Sequence, residues 1–225
     1  MKKLLIVSLL FLSMSGCSSS SDDTISSMST ITIDTQIWQK TNLNVETYSD
    51  GTPIPQITDP IKWKYAQLGA WCYYDNDPSN GITYGKLYNW YAVAGLNDYD
   101  PNTPLKKLAP TGFHIPSDIE WTTLTSFLGG ENVAGDKIKT TGTPVWQSYN
   151  TLPTNSSGFT GLPAGIRDDY GSFGGIGGRT SWWGSNSGVP GQGSTWARDL
   201  FSDYSGLVRY GYSADCGFSV RCIKD

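Results

Sequence analysis

"PTGFHIPSDIEWTTLTSFLGG", residues 110–130, is the stretch from which the rest of the chain can be read. Pro116 precedes Ser117, and Glu120 follows that serine three residues later. The spacing predicts a capping box: the Ser117 hydroxyl accepts from the Glu120 N–H, and the Glu120 carboxylate reaches back to the Ser117 N–H. Trp121, Leu124 and Leu128 then share one helical face, and Gly129 supplies the left-handed residue that closes the helix. His114, the only histidine in 225 residues, lies just upstream in an extended segment. A histidine with a carboxylate six residues on raises the question of acid–base chemistry. Glu120, however, already has a task at a helix start, where a carboxylate is favoured. No nucleophile or second carboxylate accompanies the pair, so it reads as architecture.

One other stretch carries a helical period. In "YGKLYNWYAVAGL", residues 84–96, Leu87, Trp90, Tyr91 and Ala94 fall on one face and Gly95 stands at the stop. Elsewhere the chain combines 26 Gly and 12 Pro with 9 Trp, 13 Tyr and 7 Phe, while only 16% of residues are charged. Short strands joined by many turns, with aromatic side chains supplying the core, fit that balance, whereas disordered chains are poor in aromatics. There is no repeat at a fixed period, which excludes a solenoid or propeller. A net charge of −4 without a Lys/Arg cluster excludes nucleic acid as a partner, since phosphate binding needs a basic face.

The first residues give an address. Lys2 and Lys3 precede the apolar run Leu4–Leu12, which is shorter than the roughly 18 residues of a membrane span and suits a signal peptide over residues 1–16. "SMSGC" resembles a bacterial lipobox, with Met14 in place of the usual leucine. The resemblance implies that Cys17 carries a diacylglyceryl thioether and an N-acyl chain, several chains giving the stable membrane anchoring that one alone does not. "SSSSDDTISSMST", residues 18–30, has too few apolar side chains for a core and reads as a flexible tether reaching about 20 Å. Residues 31–225 then form a single domain. Ser18 directly after Cys17 points, by the same resemblance, to the outer membrane, and Asp22 and Asp23 to exposure at the cell surface.

Six motifs occur in order: "QIWQKTNLNVETYSDGTPIP", "GAWCYYDNDPSNGITYGKLYNWYAV", "LAPTGFHIPSDIEWTTLTSFLGG", "NSSGFTGLPAGIRDDYGSF", "SWWGSN" and "GFSVRCIKD". Together they resemble the Fibrobacter succinogenes major paralogous domain family of surface and secreted bacterial proteins, from about Gln36 to Asp225. "GFHIPSDIEW" and "GFSVRC" are also similar to signatures of formylglycine-generating enzymes. The resemblance implies an irregular α+β fold related to C-type lectin domains, with two helices, small antiparallel sheets and long loops on one face. It implies no assigned reaction.

The enzymes in that comparison hold copper on a cysteine pair upstream of the terminal signature. Here the corresponding region, "WARDLFSDYSGLVRYGYSAD", residues 196–215, contains no cysteine, so the soft ligands that Cu(I) needs are missing. No cofactor or metal is expected. "NDYDPN" offers Asp98, Asp100 and Asn102 at alternate spacing, but Thr103 and Ala109 stand where an EF-hand needs Gly and Glu. Asp75 and Asp77 lie among turn formers and read as side-chain-to-backbone partners. "GSFGGIGG" lacks the Lys-Ser/Thr ending of a phosphate loop and reads as a mobile loop.

What remains as candidate ligand-binding chemistry is Arg167, Asp168, Asp169 and Tyr170, followed by Trp183, Asn186 and Trp196. Sugar rings stack on aromatic faces, and amide, carboxylate and guanidinium groups bind hydroxyls. Trp90, Trp121 and Trp182 are read as core. Adjacent strand residues face opposite ways, so Trp182 and Trp183 are not expected in one core. With Cys17 lipidated, Cys72, Cys216 and Cys222 remain. The lectin-like resemblance implies a Cys72–Cys222 disulfide with Cys216 free, although a hairpin at Gly217 would instead permit Cys216 to pair. The leading functional reading is a surface-tethered, non-catalytic binding or adhesion module for a polysaccharide or a surface protein. A structural subunit of an envelope assembly ranks second, and an oxidase-like enzyme last.

Overall fold

Strand β8, Arg179–Ser187, carries the adjacent pair Trp182 and Trp183, and both are fully buried. They face opposite ways, as neighbours on a strand must. Trp182 lies 6.0 Å from Trp121 and 5.6 Å from Phe159, in a core that also holds Trp38. Trp183 stacks on Phe218 at 4.3 Å, in a second core with Tyr88 and Ala197. Each indole N–H is satisfied, Trp182 by Asn42 Oδ1 at 2.9 Å and Trp183 by the Tyr88 carbonyl at 2.8 Å. One strand therefore divides two aromatic cores, which explains the chain's tryptophan content.

The computed structural model describes residues 28–142, 146–147, 152–187 and 194–225; the expected signal peptide, the expected lipidation site Cys17 and the expected tether up to residue 27 lie outside them. β6 (Ala164–Arg167), β7 (Phe173–Ile176), β9 (Ser194–Phe201) and β10 (Leu207–Ser213) join β8 in a five-stranded sheet, ordered β10-β9-β8-β6-β7. The glycine-rich "GSFGGIGG", expected to be a mobile loop, instead supplies β7 and the turn into β8. Its glycines make that path available: Gly175 and Gly177 sit at φ 78° and 81°, where other residues are strained.

A four-stranded sheet runs β1 (Thr30–Ile33), β2 (Gln36–Gln39), β11 (Ile223–Lys224) and β5 (Phe113–His114) in that spatial order. Its first strand is already anchored upstream, since Lys40 N–H donates to the Ser29 carbonyl at 2.9 Å and Met28 packs on the core. Met28 and Ser29, placed in the tether by the sequence reading, thus make contacts with the domain. A short hairpin-like pair, β3 (Trp71–Cys72) and β4 (Leu87–Tyr88), forms the third sheet.

Residues 217–223 stitch the sheets together. Gly217 exchanges backbone hydrogen bonds with Arg167 at 2.8 and 2.9 Å, and Phe218 with Tyr88 at 2.8 and 3.0 Å. Ser219 bonds both Ser181 and Trp183, and Ile223 sits between Trp38 and His114. Gly217 has no room for a side chain, because a Cβ there would lie 2.7 Å from Trp63. Arg221, fully buried, donates to the carbonyls of Gln39 and Phe159 and to Asn42 Oδ1. Burial lowers its pKa to about 9, as expected for a cation held by dipoles rather than a carboxylate.

The architecture is α+β, with five α-helices among the described residues where two were expected. α1 (Pro60–Lys64), α2 (Pro78–Tyr84) and α5 (Ala134–Ile138) were not anticipated; α3 (Trp90–Ala94) and α4 (Asp118–Phe127) are the two anticipated. α4 has the full capping box: Ser117 Oγ accepts from Glu120 N–H at 3.2 Å, and Glu120 Oε2 accepts from Ser117 N–H at 2.7 Å. Trp121, Leu124 and Leu128 are buried, and Gly129 closes the helix at φ 98°. α3 begins later than its period suggested, because Leu87 and Tyr88 are taken by β4. The helix starts only after Asn89, whose side chain accepts from Ala92 N–H at 3.0 Å, and it stops at Gly95, φ 79°. Trp90, expected in the core, is only half-buried at its edge.

Candidate functional site

The seven candidate residues fall into three places. Arg167 is fully buried between Trp63 and Phe173, 4.4 and 4.7 Å from their ring centres. Its three nitrogens donate to the carbonyls of Gly171, Ile57 and Thr58 at 3.0, 2.6 and 2.9 Å, so it ties two loops together, and its full burial puts it out of a ligand's reach. Trp183 is core, as described. Both are corrections to the expected site. Asn186 and Trp196 sit near the start of α4. Asn186 Oδ1 accepts from Asp118 N–H at 2.8 Å, while half-buried Trp196 lies under the Arg209 guanidinium, which also binds Asp118. They support the helix and stand apart from the rest.

Asp168, Asp169 and Tyr170 share one surface turn. Asp168 accepts from the N–H groups of Tyr170 and Ser172 at 3.0 and 2.8 Å, an Asx-type turn that presents Tyr170 65% exposed. Gly171 lets the turn lie on α1, for a Cβ there would meet Pro60 at 2.6 Å. At the end of that helix, Lys64 holds its ammonium 4.5 Å from the Tyr170 ring and 5.4 Å from that of Tyr65, itself 69% exposed. The result is a tyrosine–lysine–tyrosine strip. Asp169 faces Asp215, whose carboxyl is pushed above its ordinary range by burial, with the charge of Asp169 adding to the shift. Asp215 in turn binds Tyr91.

Tyr91 leads into a groove of about 350 Å³, lined also by Gln67, Leu68, Leu96, Asp98, Tyr99, Asp100 and Pro101. Tyr99 is 74% exposed. Asp98 and Asp100 each accept the N–H two residues on, at 2.9 Å, so the spacing that resembled a calcium loop is a pair of Asx turns. Among the described residues no three His, Cys, Asp or Glu side chains converge as metal ligands. Exposed aromatic faces beside carboxylates can stack on a ring and accept from its hydroxyls. Sequence reasoning missed Lys64, Tyr65, Tyr91 and Tyr99. The available signal was a tyrosine set among turn-forming aspartates, where no core position exists for it.

A sequence model of the Fibrobacter succinogenes major domain matches residues 31–224. The chain belongs to this family. No curated protein and no solved structure matches it.

Within this family domain the reactive side chains are held by the fold. Cys72, Cys216 and Cys222 are buried free thiols, and the expected Cys72–Cys222 disulfide is not formed. Strand alternation explains why: Trp71 faces the core that contains Cys222, so Cys72 faces the other way, toward Trp63 and Leu87. Burial pushes each of the three thiols up to about 12, which leaves the nucleophilic thiolate scarce at neutral pH. His114 is engaged on both nitrogens, Nε2 with Glu120 at 2.7 Å and Nδ1 with Asp225 at 2.8 Å. Burial opposes its protonation, but the two carboxylates outweigh that and raise its pKa. It clamps β5, α4 and the segment after β11, and Asp225 is a second carboxylate that the sequence reading did not place beside the pair.

Proposed function

We propose that this member of the family is a non-catalytic binding module for polysaccharide, lipid-anchored through Cys17 at the outer membrane and exposed to the cell exterior. The observation that carries the reading is the distribution of side chains. Thiols and buried arginines are committed to the interior and the half-exposed His114 to a clamp between two carboxylates, while Tyr65, Tyr170 and Tyr99 stand exposed beside Lys64, Asp169 and the Tyr91 groove. A monomer rarely leaves several large aromatic rings in one region of its surface without a partner for them. Tyrosine offers flat, rigid contact area at low entropic cost, and sugar rings present matching apolar faces. The sequence features that support the anchor are the apolar run Leu4–Leu12, the "SMSGC" site and the polar tether that follows.

A glycan array probed with the labelled protein, followed by titration of the best polysaccharide, tests the reading. Tyr99→Ala and Tyr170→Ala should each weaken binding roughly five-fold, about 1 kcal/mol of stacking. Cys17→Ser should move the protein out of the membrane fraction. Absence of any bound glycan, or variants that bind as the parent does, would overturn the polysaccharide assignment.

A further inference from the structure

A second groove, of about 340 Å³, runs beside β5 and has a different chemistry. Val93, Leu108, Phe113 and Ile115 give it an apolar floor, and Lys107 and Asp225 stand on its rim. Phe113, His114 and Ile115 all line it, although successive side chains on a strand point to opposite faces. Ile115 lies just past the two-residue β5, and β5 is the terminal strand of its sheet. The Phe113 N–H already donates to the Pro110 carbonyl at 3.0 Å, so the backbone left for an extended peptide to pair with beside this groove is the Phe113 carbonyl and Ile115.

Charge fixes which part of a peptide belongs there. Lys106, on the same rim, is paired with Asp50 at 2.7 Å, and His114 is paired with Asp225 at 2.8 Å. Lys107 is exposed and, among the described residues, forms no ion pair. Its backbone carbonyl accepts from Ser49 N–H at 2.8 Å, which fixes its place on the rim. In a chain of net charge −4, an unpaired ammonium above an apolar floor attracts a carboxylate attached to an apolar side chain. We propose that this groove binds the carboxyl-terminal end of an extended peptide with an apolar last residue, the peptide lying along β5 and its carboxylate meeting Lys107.

Fluorescence anisotropy of the full chain with a labelled pentapeptide ending in phenylalanine tests this. The free acid should bind saturably, and the same peptide with an amidated terminus should bind at least ten-fold more weakly. Lys107→Glu should cause a similar loss, Lys107→Arg should retain binding, and both variants should keep the parent's circular dichroism. Tyr99→Ala should leave the peptide affinity unchanged, which separates this groove from the polysaccharide site. Equal binding of acid and amide, no saturable binding of either, or a Lys107→Glu chain that binds as the parent does would each overturn the proposal. So would displacement of the probe by octanoate more effectively than by unlabelled peptide, which would make the groove a fatty-acid site.

Discussion

The segment 217–223 and the surface around Tyr99 are built from similar materials and put them to opposite uses. In the first, an arginine, an aromatic ring and a cysteine are all buried, and the backbone bonds residues of all three sheets, Arg167, Tyr88 and Gln39 among them. In the second, tyrosines and aspartates rest on turns, with the rings turned to solvent. The first coincides with the most distinctive motif of the chain, "GFSVRC", and the second with a stretch that looks unremarkable. Motif strength here marks the parts that hold the fold together. Exposed residues on turns are less constrained by their neighbours and leave a weaker trace in the sequence.

The sharpest way to break that contrast is to truncate the interior side. Trp183→Ala removes a fully buried ring that stacks on Phe218 and donates to Tyr88, and it should cost about 3–5 kcal/mol in urea unfolding. Had Trp183 been a ligand-binding residue on the surface, the loss would fall below about 0.5 kcal/mol. A small effect would therefore restore the sequence-based assignment and dissolve the two-core description.

What was legible in the sequence was what local physics decides. The capping box at Ser117 and the helix stops at Gly95 and Gly129 depend on residues within four positions, and they formed as read. Leu87 has a helical period with Trp90 and Tyr91, yet it belongs to β4 because Trp71–Cys72 and Phe218 offer it a partner strand. Arg167 looked available because its acceptors, the carbonyls of Ile57 and Thr58, lie about 110 positions away in the chain. The disulfide failed on a single step of strand alternation at Trp71–Cys72. Each miss is a long-range contact that overrode a reasonable local signal.

A second prediction probes the boundary between the two regimes, at the clamp of His114. Ser117→Ala should lower stability by about 1 kcal/mol through the lost cap. The pH dependence is finer. His114 has a raised pKa in the folded state, so its contribution is complete below about 6.5, its unfolded value, and is lost as pH rises through the folded one. Glu120 has a lowered pKa, since hydrogen bonds from Ser117 and His114 outweigh its burial. Its contribution is complete above about 4.5 and is lost as pH falls through the folded value. The contribution of the clamp should thus be greatest between about 4.5 and 6.5, and His114→Ala should remove its decline on the alkaline side. Urea midpoints measured from well below about pH 4.5 to well above about 6.5 check both; a decline that persists in the histidine variant would assign it to other groups.

The smallest expected effect tests the surface side most directly. Tyr99 and Tyr170 are mostly exposed, and neither side chain is part of a hydrophobic core. Tyr170 gains only the Lys64 ammonium over its face, an exposed cation–π contact of about 0.5–1 kcal/mol at most. Tyr99→Ala should therefore leave the unfolding midpoint within about 0.5 kcal/mol of the parent, and Tyr170→Ala should exceed that only by the lysine contact. Lys64→Ala separates the two contributions to Tyr170, because the lysine contact is lost while the tyrosine ring remains. If truncating Tyr99 destabilised the protein as strongly as truncating Trp183, the ring would be an unrecognised part of the core, and the groove beside it would be a fold feature without a ligand. A stable Tyr99→Ala chain with weakened polysaccharide binding is the outcome that only a surface site produces.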